Sequence, residues 1–344
     1  MRTLAALVLL ALVASGCGQQ PAHRWSIVVH GGAGVIDRAS MTSQQEAQYR
    51  AAMNHALQTG SAILDRGGSS LDAVEAVISE MEDDPLFNAG RGAVFGADGV
   101  NHLDASIMDG RTRAAGAVAD LTHIRHPIQL ARAVMEHSPH VMLVGEGAEA
   151  FARTRGVEQV DTAFFFTERR WGQLEQELRM RHLPIPPRPA GAPSAPQHAL
   201  SFPDDHKFGT VGVVAMDVHG DIAAGTSTGG TTAKLWGRVG DSPIIGAGTY
   251  AQNHVCGVSA TGTGEYFIRV GVARDICLRM ELRRESAEQA AQEVFAELGA
   301  IDGDGGVIVM DGNGHAAWRF NTPGMYRARL EQGGRPLVQI FANE

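Results

Sequence analysis

Aromatic residues make up only 6% of the 344-residue chain, and cysteine occurs three times. So few cysteines exclude a disulfide-scaffolded miniprotein, and burial of apolar surface must hold the fold. Basic charge is also scarce: 29 Lys and Arg stand against 38 Asp and Glu, a net charge of −9. A protein that tracks nucleic-acid phosphates needs the opposite sign, so no nucleic-acid partner is expected. No apolar run reaches the roughly 20 residues that span a bilayer. Several site motifs are missing. His30-Gly31-Gly32-Ala33-Gly34 does not have the G-x-G-x-x-G spacing of a dinucleotide loop, and no phosphate-loop lysine follows it. There is no H-E-x-x-H. His137-x-x-His140 contains Pro139, and His123 and His126 flank a helix start, so these histidines read as solvated or capping groups. Asp302-Gly-Asp304-Gly and Asp311-Gly-Asn313-Gly lack the downstream Glu of a calcium loop and read as hairpin turns.

Glycine is plentiful, 42 of 344 residues. That suggests tight turns and backbone that approaches other backbone or a ligand closely. Residues 1–16 read as a leader: Arg2, an apolar run from Leu4 to Val13, then Ala14-Ser15-Gly16 before Cys17. Cys17 after these small residues resembles a bacterial lipoprotein signal with Cys17 as the lipidated first residue. Plain secretion with a free Cys17 is the alternative. Either way the protein is expected to be exported, to the periplasm or to a lipid anchor on a bacterial membrane. Cys256 and Cys277 alone make no disulfide framework.

Along the chain, Trp25–His30 reads as a strand ended by Gly31–Gly34, and residues 43–64 as a helix. A second helix opens at Ser69 or Ser70, with Leu71, Val74, Val77, Ile78 and Met81 at three- and four-residue steps, and ends at Asp83-Asp84-Pro85. Short strands are expected over 92–119, then helices near 127–136 and 145–155. Six of the fourteen prolines fall between Pro184 and Pro196, so 184–207 reads as an extended, poorly ordered linker. Strands follow at 210–218 and 222–227 around a His219-Gly220 turn. Helices are expected near 265–282 and 287–298, with strands near 307–310 and 316–320. Blocks of strands and helices favour an α+β fold of stacked layers over a doubly wound parallel sheet.

Hydroxyls pack beside glycines four times within a short span: Gly209-Thr210-Val211-Gly212, Thr226-Ser227-Thr228-Gly229-Gly230, Gly237-Arg238-Val239-Gly240-Asp241-Ser242, and Thr261-Gly262-Thr263-Gly264-Glu265. Strand and turn propensities alone do not explain this density. Acyl transfer needs such a set: a hydroxyl nucleophile, a hydrogen-bonding neighbour and close backbone N–H groups for an oxyanion.

These segments, with VVHGGAG, EDDPLFNAGRGAVF, LDASIMDG, MEHSPHVMLVGEGAEAFA and FNTPGMYRA, resemble the plant-type (type III) L-asparaginase and isoaspartyl peptidase family of N-terminal-nucleophile hydrolases. The resemblance runs from about Ile27 to Ala328. It implies a four-layer αββα sandwich. It also implies a precursor that cuts itself between Gly209 and Thr210 into an alpha chain, 17–209, and a beta chain, 210–344, that pair into an (αβ)2 assembly. The freed α-amine of Thr210, with a pKa of about 7.7–8.0, can serve as base. The resemblance makes Thr210 the nucleophile and Thr228 its hydrogen-bonding neighbour. Arg238 would grip the substrate α-carboxylate in a planar, two-point contact, and Asp241 and the Gly264 carbonyl would hold its ammonium. Thr261 and the Gly262 N–H would form the oxyanion hole, and Asn88 would sit near the nucleophile. No cofactor is implied. A structural sodium ion is, held by main-chain carbonyls of the loop that contains Met81, Glu82, Asp84, Phe87, Ala89 and Arg91. The implied substrates are L-asparagine and β-aspartyl dipeptides. A glycosylasparaginase and an inactive amino-acid-binding lipoprotein are the alternative readings.

Overall fold

A computed structural model describes residues 23–39, 41–193 and 209–344. The leader, Cys17 and the linker beyond residue 193 lie outside these. Among the described residues the strands are β1 (Ser26–Gly34), β2 (Leu103–Asp109), β3 (Ala115–Leu121), β4 (Met142–Val144), β5 (Val211–Met216), β6 (Ile222–Thr228), β7 (Thr249–Gln252), β8 (Cys256–Gly262), β9 (Gly305–Asp311), β10 (Ala316–Phe320), β11 (Gly324–Glu331) and β12 (Leu337–Phe341). The α-helices are α1 (Ser43–Leu64), α2 (Ser70–Asp83), α3 (Pro127–His137), α4 (Gly145–Arg155), α5 (Glu168–Met180), α6 (Gly264–Val270), α7 (Val272–Arg283) and α8 (Ala287–Ala300). The strands form an eight-stranded sheet, ordered β12-β11-β1-β5-β6-β2-β3-β4, and a four-stranded sheet, ordered β10-β9-β8-β7. Among the named strands of the described residues, only β3 and β4 pair with each other in parallel.

Alternation along the strands decides what each sheet face buries. Val29, Val213 and Ala223 face one way and join a core with α1, α2 and α3 through Leu57, Val77 and Leu130. Val28, Val214 and Ala224 face the other way and meet Val258 and Val309 of the small sheet. Ile276 and Val294 of α7 and α8 belong to this second core. Each fully buried Val, Leu or Ile contributes roughly 1.5–3 kcal/mol relative to exposure, so both faces of the large sheet are heavily anchored.

Local signals place the ends of several elements. Thr42 and Gln45 form a reciprocal capping box at the start of α1, and Ser69 caps α2 through the Asp72 N–H. Asp217 accepts from the His219 and Asp221 N–H groups and closes the β5–β6 hairpin, as expected for that turn. The Asp311–Gly314 turn closes the β9–β10 hairpin in the same way.

Other expectations need correction. β1 does not stop at His30; it runs through the glycines to Gly34 with a bulge between His30 and Ala33. Helix 265–282 is divided at Gly271, whose φ of +69° ends α6 and starts α7. Asp302 is a left-handed residue after α8, not a hairpin turn. His126 makes no capping hydrogen bond and lies beside the buried Glu82, 3.4 Å away. Residues 184–193 are not loose. Arg188 grips both Glu168 oxygens, at 2.9 and 2.6 Å, and stacks over Phe166 and Trp171. Cys256 and Cys277 are bridged, joining β8 to α7 with Cα atoms 5.7 Å apart. Helix α5 and strands β4, β7, β8, β11 and β12 were not expected from the sequence.

Candidate active site

Thr210 stands at the head of β5, a central strand of the large sheet, and its partner strand β6 ends at Thr228. The β5–β6 register pairs Val211 with Ser227, so the two threonines meet across the ladder end. Their hydroxyl oxygens are 3.0 Å apart, and both residues are buried. Thr228 Oγ1 also accepts the Gly230 N–H at 3.0 Å. With the Gly209–Thr210 peptide intact, the Gly209 carbonyl accepts the Asn88 N–H at 3.0 Å. Asn88 is itself held on three further sides. Its Nδ2 donates to the Gly230 carbonyl at 2.8 Å, its Oδ1 accepts Val94 N–H at 2.9 Å, and its carbonyl accepts Gly229 N–H at 3.0 Å. The bond expected to break therefore has a fixed donor on its carbonyl and a buried hydroxyl pair beside it.

The glycine segment after Thr228 leads on to the charged residues. A Cβ on Gly230 would lie 3.2 Å from Arg238 Nη1, and one on Gly240 would lie 2.8 Å from it. Arg238 turns its Nε and Nη2 to Glu265, at 2.8 and 2.9 Å. Burial would lower the Arg238 pKa, but the Glu265 carboxylate outweighs it and raises the net value. The Nη1–Nη2 edge remains for a second two-point contact. Asp241 is 4% exposed, and its Oδ2 has no hydrogen-bond partner. Burial pushes its carboxyl up to about 7 against the pull of its own main chain and Arg238. A buried carboxylate oxygen without a donor is costly unless a cation or donor arrives. Gly264 packs on Asp241 so tightly that a Cβ would sit 2.7 Å from the Asp241 N and 2.8 Å from Oδ1.

Thr261 and Gly262 end β8 two residues before Gly264. Thr261 is fully buried, and its Oγ1 accepts the Ala33 N–H at 3.4 Å. A Cβ on Gly262 would collide with the Asp304 carbonyl and the Phe267 ring, so only glycine fits. The structure thus brings Thr210, Thr228, Asn88, Arg238, Asp241 and Gly264 into one chain of contacts. Thr261 and Gly262 join it from the small sheet, through Gly264 and not through a hydrogen bond to Thr210. The side chains of the Met81–Arg91 loop do not gather around a metal. Among the described residues no group of three His, Cys, Asp or Glu suits one. Glu82 Oε1 accepts from Ser227 Oγ at 2.6 Å and from the Ile128 N–H at 3.1 Å, while its Oε2 lies 3.4 Å from His126 Nδ1.

Sequence reasoning missed two neighbours of the site. Glu265 closes the Thr-Gly-Thr-Gly-Glu run, and its position beside those glycines was the available signal. Lys234 donates to the His102 carbonyl at 2.8 Å and lies 3.8 Å from the buried Asp104. Burial lowers the Lys234 pKa and raises that of Asp104. Nothing in the local sequence marks that pair, because its members are 130 residues apart. Ala233, just before Lys234, is buried beside Phe95 and Trp171 at a φ of +56°.

The asparaginase family profile matches residues 23–340. The isoaspartyl peptidase of Escherichia coli is 47% identical over 316 residues, covering 92% of this chain and 95% of that protein. A probable isoaspartyl peptidase/L-asparaginase of Arabidopsis thaliana is 41% identical, covering 92% and 99%. The plant-type L-asparaginase of Pyrococcus furiosus is 39% identical, covering 90% and 97%.

Proposed function

The chain belongs to the asparaginase family that contains these isoaspartyl peptidases, and on that premise we propose that it is a self-cleaving threonine hydrolase of β-aspartyl dipeptides and L-asparagine. The observation that carries this reading is the 3.0 Å Thr210–Thr228 hydroxyl pair beside a Gly209 carbonyl held by Asn88. In the precursor, Thr210 Oγ1 attacks the Gly209 carbonyl carbon through a five-membered ring. The Asn88 N–H carries the developing oxyanion, the C–N bond breaks to an ester, and water releases Thr210 with a free α-amine. In the mature enzyme that amine takes the Thr210 hydroxyl proton. Oγ1 then attacks the side-chain carbonyl of the aspartyl substrate, with Thr261 and the Gly262 N–H at the oxyanion. The Thr210 ammonium hands that proton to the substrate's amide nitrogen, which leaves as the released amino acid or as ammonia, and water hydrolyses the acyl-enzyme to L-aspartate. Thr228 orients the Thr210 hydroxyl. Arg238 takes the α-carboxylate on its free edge, and Asp241 with the Gly264 carbonyl takes the ammonium.

Order, assembly and location extend the same reading. The two sheets with helices outside them are the layers of an αββα sandwich, shared by chains 17–209 and 210–344, which pair into an (αβ)2 tetramer. The loop after α2 suits a structural sodium ion, because carbonyls of Glu82, Pro85 and Phe87 crowd against Gly90 and Gly92, where no Cβ fits. Residues 1–16 direct export, and Cys17 anchors the protein to a membrane. The Cys256–Cys277 bridge supports a compartment outside the cytoplasm, where disulfides persist.

The test is direct. The purified protein should show two bands of about 20 and about 14 kDa, scaled from the chain mass, and the smaller should begin at Thr210. Assays on β-Asp-Leu, asparagine and a glycosylasparagine should show activity on the first two. An active protein that remains one chain would remove Thr210 from its role. Activity on the glycosylasparagine alone would favour the glycosylasparaginase reading.

A further inference from the structure

Five polar side chains form a continuous buried file between the two sheets, and the mechanism above uses none of them. His30 Nε2 meets Ser259 Oγ at 3.0 Å, and Ser259 Oγ meets Thr226 Oγ1 at 2.7 Å. Thr226 Oγ1 meets Thr249 Oγ1 at 2.6 Å, Thr249 meets Ser106 Oγ at 2.8 Å, and Ser106 reaches the Ser242 carbonyl at 2.6 Å. All five residues are fully buried. The file zigzags between sheets: His30, Thr226 and Ser106 belong to the large one, Ser259 and Thr249 to the small one. Elsewhere the sheets meet through apolar groups such as Val28, Val214, Val258 and Val309. Apolar residues of the same shape would serve stability about as well.

The ends of the file matter. His30 is paired with Gly212 across β1 and β5, two residues after Thr210. A Cβ on Gly212 would collide with both His30 and Ser259. At the other end, Ser242 follows Asp241. Thr210 and Thr228 ride on the large sheet, while Thr261 and Asp241 belong to the small-sheet side. An apolar interface can repack by fractions of an ångström, whereas a row of directional hydrogen bonds cannot.

We propose that the file from His30 to Ser106 is a positioning network that locks the Thr210 strand to the Asp241 loop. Ser106 Oγ is hydrogen-bonded to both the Ser242 carbonyl and Thr249 Oγ1, and Thr226 also reaches the Gly248 carbonyl at 3.2 Å. Each of the five side chains is thus bonded to a member of the file on the opposite sheet. Burial also drives the His30 pKa to about 3, against an upward pull from the Thr210 main chain, so the ring stays neutral.

The inference rests on the proposed hydrolase reading for its catalytic consequence, and its test has a part that does not. Thr226→Val removes the hydroxyl at nearly constant shape, and Thr226→Ser keeps it while losing a methyl. Amide hydrogen exchange at Val211, Gly212 and Ser242 should quicken in the folded valine variant and return to the wild-type rate in the serine variant. The valine variant should also lose roughly 10- to 100-fold in kcat on asparagine, as small misplacements of reacting groups do, and the serine variant should restore it. Wild-type exchange in the valine variant overturns the proposal whatever the enzyme acts on. So does a valine variant with wild-type kcat, or a serine variant as slow as the valine one. If the wild type neither cuts itself nor hydrolyses asparagine, the hydrolase reading fails while hydrogen exchange still decides the file.

Discussion

The guanidinium of Arg238 lies fork to fork against the Glu265 carboxylate, with Nε–Oε1 at 2.8 Å and Nη2–Oε2 at 2.9 Å. This pair fixes the guanidinium plane and leaves its other edge free. In the proposed site, Glu265 would therefore orient the group assigned to the substrate α-carboxylate. Glu265→Gln should raise KM for asparagine by about tenfold, or roughly 1.4 kcal/mol, with self-cleavage unchanged. If Glu265 instead blocks the carboxylate site, the same variant will lower KM.

Arg238→Lys should cut itself normally and then bind substrate poorly. Self-cleavage acts on the chain's own peptide, which presents no α-carboxylate. A lysine keeps the charge but not the planar two-point contact. Wild-type kinetics on β-Asp-Leu would place Arg238 outside the pocket.

Thr210→Ala should remain a single inactive chain. Thr228→Val should leave Thr210 Oγ1 without its 3.0 Å partner and slow both self-cleavage and turnover. Time courses of the smaller chain's appearance on denaturing gels measure the first, and ammonia release measures the second. Fast self-cleavage in Thr228→Val would assign the orienting role to another group.

Asp241 sets a pH dependence with opposite signs for binding and stability. Its carboxyl, ordinarily at 3.8, is raised to about 7 in the fold. In the proposed role only the ionised form would attract the substrate ammonium, so kcat/KM should fall as pH drops below about 7. For stability, the folded state binds more protons than the unfolded one between 3.8 and about 7. This contribution is therefore full at low pH and lost as pH rises through that window. Asp241→Asn should raise the melting temperature at pH 8 relative to wild type while abolishing tight binding. A variant that melts lower at pH 8 would show that the charge is compensated.

Removing the Cys256–Cys277 bridge should cost stability without cost to chemistry. The bridge closes 21 residues, a loop size for which chain entropy gives about 3 kcal/mol. A Cys256→Ala/Cys277→Ser variant should melt lower and retain kcat, since neither residue lies in the chain of contacts around Thr210. A large loss of kcat at low temperature would tie the bridge to the site.

The sequence by itself determined the elements whose signals are local: α1 and α2 with their Thr42 and Ser69 caps, the β5–β6 hairpin, and the hydroxyl–glycine runs that carry Thr210, Thr228, Arg238 and Asp241. Capping, turn chemistry and periodicity act over a few residues and are written in order along the chain. Tertiary structure alone decided the rest. Strand β12 and the short β4 flank the large sheet, and β7 is an edge of the small one; each is made a strand by its neighbour. The linker from Pro184 looked loose, yet Arg188 finds Glu168 and two aromatic rings. Cys256 and Cys277 became a pair only when α7 packed on β8. Arg238 met Glu265, Lys234 met Asp104, and His30 met Ser259, partners 27 to 229 residues apart. A hydrogen bond or ion pair depends on a distance of about 3 Å in space. Separation along the chain says nothing of that distance until the two sheets have stacked.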